Sequence, residues 1–289
     1  MELFLQQVVS GLATGAIYAS LALALVMIFQ STNHINFAQG EMALLSTYVA
    51  WSLLAAGLPW IAAFVITIAA SFAFGVAVER VVIRSFHDAP VFALIVVFMG
   101  LFLAFNSVAS WIWGFEIKSF DSPVRSLSTG SSLIGAHDIF IMGVTLLMLL
   151  LIFCFFRFTK LGLAMRAAAV NPVSAELVGI RVGWILALGW GMAGALGAVS
   201  GMLVAPIVFL DPNMMLGILL YAFASAMLGG LNNPFGAVVG GLLFGVLENI
   251  VGTYIIGHEL KLTFALVVVI GVLLVKPSGL FGKTITRRV

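Results

Sequence analysis

Charge is what this sequence has least of: 8% of its 289 residues are Asp, Glu, Lys or Arg. Ordinary soluble domains carry about 25%. With 63% hydrophobic residues and a mean hydropathy of +1.22, a soluble globule is excluded and the bilayer must be the solvent. The net charge of +2 is small and scattered, which excludes a nucleic-acid surface. A single cysteine, Cys154, excludes an intramolecular disulfide. Histidine numbers only four, and no His, Cys or Asp falls at metal-ligand spacing. His258-Glu259 opens a zinc-protease pattern, but Leu262 stands where the second histidine belongs. Gly282-Lys283-Thr284 ends like a P-loop, but Pro277 occupies the place of its first glycine. Ser200-Gly201 lies among small residues, yet no histidine sits in a span to act as its base. No catalytic residue, metal site or cofactor site is expected, so the chain is not read as an enzyme. A secretory leader would open with basic residues, whereas Met1-Glu2-Leu3 runs straight into an apolar stretch, so no cleavage is expected.

Long apolar runs are what the sequence does have. Inside hydrocarbon every backbone polar group must be satisfied within the protein, which leaves helical bundles and closed barrels. Barrel strands alternate polar and apolar over about ten residues, whereas Ile139 to Phe156 is continuous. The expectation is an all-α polytopic membrane protein, read as a single transmembrane domain over 1–289. At about 20 apolar residues per span, spans are predicted near 5–29, 37–57, 59–79, 90–113, 139–156, 184–208, 214–230, 235–256 and 262–276. That makes about nine transmembrane helices, with eight and ten as alternatives because the boundaries at 30–41 and 209–235 are ambiguous.

Basic residues set the orientation. Arg80, Arg84, Arg157, Lys160, Arg166, Arg181, Lys276, Lys283, Arg287 and Arg288 fall on one side, against Lys118, Arg125 and Lys261 on the other. The loops at 80–89 and 157–183 and the C-terminus are therefore expected in the cytoplasm, and the N-terminus outside. The outer loop 114–138, with Glu116, Lys118, Asp121 and Arg125, reads either as a solvated connector or as a docking surface for a soluble partner.

The inner loop, RFTKLGLAMRAAAVNPVSAELVGIRVG at 157–183, is longer than a turn between helices requires. Leu161 to Ala169 has strong helix propensity. Asn171 then suits an N-cap, Pro172 the first helical position and Gly179 a C-terminal stop. A helix, a corner and a second short helix follow. Leu177, Val178 and Ile180 would form an apolar face, rimmed by Arg166, Glu176 and Arg181. This knob is either gripped by a partner or lies on lipid as an amphipathic helix.

The spacing of Gly162, Ala164, Arg166, Ala167, Asn171, Ala175, Gly179 and Ile180 resembles the cytoplasmic coupling loop of permeases of branched-chain amino-acid ABC importers, the LivH type. Three further stretches agree with that family: Gly11 to Glu41, with TGAIYASLALAL and INFAQGE; Met227 to Gly241, with MLGGLNNPFGAVVGG; and Lys276 to Gly282, KPSGLFG. The resemblance implies a coupling helix that plugs into an ATPase, with Pro172 and Glu176 in the same loop. It also implies a homologous second permease subunit (LivM-like), two cytoplasmic ABC ATPase subunits using ATP and Mg, and an external substrate-binding protein. The setting it implies is the inner membrane of a bacterial cell. The implied cargo is branched-chain or other hydrophobic amino acids, although similar permeases are associated with amides, urea or aromatic carboxylates. An ion-coupled secondary transporter is the rival from another class, and it would need buried charges at midplane.

Only Glu41 and Glu248 stand out as ionisable residues within spans, where charge is costly and usually functional. Glu41 ends a polar run that is awkward for lipid. Broken helices of this kind border binding sites in transporters. Asn33, Asn36, Phe37, Gln39, Gly40 and Glu41 are therefore candidates for lining a substrate path, the alternative being an interface loop with a capping glutamate. Glu248, followed by Asn249, is read as a hydrogen-bonding residue between helices rather than a substrate contact. Gly191, Gly194 and Gly201 share a helix face with Ala198, Gly11 and Gly15 form a GxxxG pair, and Gly236, Gly240, Gly241 and Gly245 form two more. Small residues let helices approach closely in lipid. Packing is the expected role, with a narrow path or a hinge as the alternative for some of them.

Overall fold

The computed structural model describes residues 2–32, 34–86, 89–124 and 135–282. The chain runs through α1 (Glu2–Thr32), α2 (Gln39–Ala55), α3 (Trp60–Val81), α4 (Val91–Trp113) and α5 (Ala136–Phe158). Two short helices follow, α6 (Lys160–Val170) and α7 (Pro172–Leu177), and then α8 (Val182–Val208), α9 (Met214–Gly229), α10 (Pro234–Val251) and α11 (Lys261–Val275). Among the described residues the extended pairing is confined to one bridge between Lys118 and Leu210.

The long helices fall where the apolar runs placed them. Among the described residues six segments are long and apolar enough to cross a membrane: Leu3–Gln30, Trp60–Phe86, Val91–Trp113, Ala136–Phe158, Val182–Val208 and Pro234–Ile256. The other three expected spans correspond to α2, α9 and α11, of 17, 16 and 15 residues. At 1.5 Å per residue these fall short of a hydrocarbon core of about 30 Å. The six long segments differ in burial. Leu3–Gln30 is 83% buried and Val91–Trp113 only 11%, so α4 presents an apolar surface on most sides, as a lipid-facing helix does.

The chain folds as two compact units, one of Met1–Val26, Val124–Leu149 and Gly217–Val289, the other of Met27–Pro123 and Leu150–Leu216. In the first, α1 and α10 cross through glycine. A Cβ on Gly15 would stand 2.7 Å from the Gly241 carbonyl oxygen, one on Gly11 would stand 2.7 Å from the Val246 Cα, and one on Gly241 would stand 2.6 Å from the Ala19 Cα. Gly236 and Gly240 face α9, where added Cβ atoms would strike the carbonyls of Gly229 and Ser225.

In the second unit α8 packs on α2 and α3. A Cβ on Gly194 would strike the Ser71 carbonyl of α3, and one on Gly191 would press on the Phe72 and Val76 side chains. Gly201 meets α2 instead, with the Ala43 carbonyl 2.8 Å from an added Cβ. The predicted packing face of α8 therefore serves two neighbours. Gly75, on α3, answers it by lying against the Trp190 carbonyl, and Ser71 donates to Ser46 at 2.7 Å.

The exit from α8 is held from outside the helix. Pro206 lies in its last turns and Phe209 adopts φ 64°, a costly conformation for a bulky residue. The next residue, Leu210, exchanges both backbone hydrogen bonds with Lys118, at 2.9 and 3.0 Å, and the Lys118 ammonium stands 4.9 Å from the Trp51 ring centroid. Fixing Leu210 in this way holds the strain at Phe209. Part of the expected outer loop is thus tied down, while residues 125–134 of it lie outside the described residues.

Candidate functional site

The polar run after α1 breaks the helix by side-chain chemistry. Asn36 accepts a hydrogen bond from the Ala38 amide at 2.9 Å, a local turn that competes with helix, and its own amide points to Met42 Sδ at 3.6 Å. Residues 34–38 are accordingly non-helical, whereas Gln39, Gly40 and Glu41 form the first turn of α2. Asn36, Gln39, Gly40 and Glu41 are buried and Phe37 is half-buried. Asn33 lies outside the described residues.

Two of these side chains reach other helices. Gln39 donates through Nε2 to the Ala193 carbonyl of α8 at 3.0 Å. Gly197 leaves room for it, since a Cβ there would stand 2.6 Å from the same nitrogen. Glu41, 1% exposed, accepts from Asn106 of α4 at 3.2 Å, and that amide nitrogen also donates to the Pro212 carbonyl at 2.7 Å. A buried carboxylate, a carboxamide and a backbone carbonyl thus converge from α2, α4 and the α8–α9 connection. The carboxylate sits in the first turn of α2, where the helix dipole favours negative charge. Asn106 was not among the sequence candidates. Its signal was an amide stranded in the apolar run of α4.

Beyond α5 the chain folds back in two short helices, as expected. Thr159 caps α6 by accepting from the Gly162 amide at 2.9 Å. Gly162 lies so close to the end of α5 that a Cβ would strike the Phe155 carbonyl. Asn171 caps α7 by accepting from the Ser174 amide at 3.0 Å, with Pro172 in the first turn. Gly179 then takes φ 86°, which suits glycine, and its amide bonds the Glu176 carbonyl at 2.9 Å. The apolar crown differs from expectation. Leu177 and Val178 are exposed but Ile180 is half-buried, and Val170 and Val173 join them, with Val170 at 87% exposure. Arg166, Glu176 and Arg181 form an exposed rim, Ala164 and Ala167 are half-buried, and Gly162 and Ala175 face inward.

Glu248 bridges three helices. Tyr18 of α1 donates to Oε2 at 3.1 Å and Lys261, at the start of α11, pairs with Oε1 at 3.0 Å. Asn249 donates to the Gln7 backbone and side-chain oxygens, both at 2.8 Å, and Thr253 to the Gln7 side chain at 3.2 Å. Lys261, counted in the sequence as an outer-loop charge, is half-buried in this network. Burial also takes in Glu79, at the last position of the expected third span. Among the described residues no group of three or more His, Cys, Asp or Glu is placed to hold a metal ion.

Comparison with known proteins agrees with this architecture. Residues 7–273 match the family described as "Branched-chain amino acid transport system / permease component". The high-affinity branched-chain amino acid transport system permease protein LivH of Escherichia coli K12 is 30% identical, over 99% of this chain and 98% of that protein. LivH of Salmonella typhimurium and BraD of Pseudomonas aeruginosa are each 29% identical over the same shares. No solved structure matches. The match spans all but the ends of the chain, so this protein belongs to the family of permease components of branched-chain amino acid transport systems.

Proposed function

We propose that this chain passes branched-chain or other hydrophobic amino acids across the inner membrane of a bacterial cell, as one permease subunit of an ABC importer. Two cytoplasmic ATPase subunits, which bind the ATP and Mg, act on it through α6 and α7. A homologous LivM-like permease completes the pathway, and an external binding protein delivers the cargo. Residues 1–289 act as one permease domain with about nine spans and a cytoplasmic C-terminus.

The observation that carries this reading is the rigid pair α6–α7, capped at both starts by side chains and crowned by exposed Val170, Val173, Leu177 and Val178. An exposed apolar patch with a polar rim is what a partner covers. An ATPase gripping it would bias two packings of the bundle without chemistry in this chain. The hydrogen-bonding groups of Asn36, Gln39 and Glu41, with Asn106, are the candidates for the substrate path. Uptake of leucine, isoleucine or valine into proteoliposomes of the assembled complex is expected to require ATP and the ATPase subunits. Cysteines at Val170 and Leu177 are expected to cross-link to the ATPase. Uptake by this chain alone, driven by an ion gradient, would overturn the reading.

A further inference from the structure

The last turn of α3 and the first turn of α8 lie at the ends of two membrane-crossing segments, and basic side chains gather there. The Arg80 guanidinium stands 3.5 Å from the Trp184 ring centroid, and its Nε is buried without an acceptor. Arg84 lies across Gly183, where an added Cβ would come within 2.9 Å of its guanidinium. Beside them opens a groove of about 470 Å³ lined by Arg84, Glu176, Arg181 and Trp184 and by the backbone of Gly179 and Gly183. Among the described residues neither Arg84 nor Arg181 forms an ion pair. Among the described residues Glu176 is the one acidic side chain in the wall. The start of α8 faces the same place, and no side chain caps it. The site therefore carries net positive charge and planar guanidinium donors suited to a phosphate.

We propose that this groove holds the phosphate headgroup of an anionic phospholipid. A free phosphate would use only the arginines. The wall also offers half-buried Ile180 and Trp184, the latter 49% exposed, near the end of a membrane-crossing segment, where aromatic side chains meet the lipid headgroup region. A lipid engages both parts, with its phosphate on Arg84 and Arg181 and its glycerol and acyl start along the apolar wall. Basic pockets at helix ends select anionic headgroups by this chemistry. The groove shares Glu176 and Arg181 with the rim assigned above to the ATPase, so lipid and ATPase compete for it where the transport reading holds.

Native mass spectrometry of the full chain in detergent, titrated with phosphatidylglycerol or phosphatidylcholine, tests it. The wild type is expected to retain one phosphatidylglycerol in preference to phosphatidylcholine. Arg84→Gln/Arg181→Gln is expected to weaken that retention about tenfold or more. Arg181→Gln alone, an exposed surface change, gives about fivefold if the double variant fails to fold. Arg157→Gln removes the same single charge as Arg181→Gln, but outside the groove, and is expected to change retention less than about twofold. Equal retention of both lipids, or equal loss with Arg157→Gln, would refute a specific site. Displacement of the lipid by millimolar inorganic phosphate would make the occupant a free anion. Unchanged lipid binding with loss of ATPase co-purification in the double variant would assign the groove to the ATPase instead.

Discussion

Removing the ammonium of Lys261 is the sharpest perturbation the structure offers. Its Nζ lies 3.0 Å from Glu248 Oε1, and the two side chains are 20% and 2% exposed. Lys261→Met leaves a buried carboxylate with the Tyr18 hydroxyl as its remaining partner. Breaking a buried pair from one side costs about 3–5 kcal/mol, and the residual exposure of Lys261 places this case at the lower end, near 3 kcal/mol. Glu248→Gln keeps an acceptor for Tyr18 and leaves the charge on the more exposed partner, which costs about 1–2 kcal/mol. The double variant Glu248→Gln/Lys261→Met carries neither charge and is expected within about 1–2 kcal/mol of wild type. The coupling energy is then about 2–4 kcal/mol, and the double variant is more stable than Lys261→Met alone. Unfolding in mixed micelles titrated with SDS, followed by tryptophan fluorescence, measures all four proteins. Strictly additive single changes, or a Lys261→Met protein as stable as wild type, would refute the reasoning.

Gly194→Val forces a side chain onto the Ser71 carbonyl of α3, which cannot yield unless the helices part, so a loss of about 3 kcal/mol is expected in the same unfolding assay. Gly100→Ala on α4 meets nothing within 4 Å and is expected to change stability by less than about 0.5 kcal/mol. Asn106→Ala frees the Glu41 carboxylate and the Pro212 carbonyl at once. If this cluster serves the path, ATP-driven uptake is expected to fall about tenfold or more while the assembled amount of complex is unchanged, equivalent to about 1.4 kcal/mol in the barrier. Asn171→Ala removes the cap of α7, worth about 1 kcal/mol, and is expected to speed hydrogen exchange at Ser174 by about fivefold.

Some of the site was legible because its causes are local. Asn171, Pro172 and Gly179 determine the corner between α6 and α7 by capping and φ preference, whatever packs against them. The polar run that ends at Glu41 announced a break, and Asn36 makes it through a turn with Ala38, two residues away. Which way the knob's residues face was less legible. Ala175 had the spacing of a contact residue, yet it turns inward while Val170 points out. Asn106 and Lys261 were missed because their partners lie 65 and 13 positions away, at Glu41 and Glu248.

By itself the sequence determined the solvent, the helical class, the placement of the apolar helices and the points where they break. These follow from hydropathy, the thickness of hydrocarbon and the chemistry of helix ends, none of which needs a partner. Tertiary structure alone decided that Gly194 meets Ser71, that Gly15 meets Gly241, and that Glu248 is bound by Tyr18 and Lys261. In water a helix marks its buried side with an apolar stripe. Here α1, α4 and α8 are apolar on nearly every side, so periodicity leaves their rotation undefined. Close contacts between small residues set that rotation, and the rotation chooses which polar groups meet.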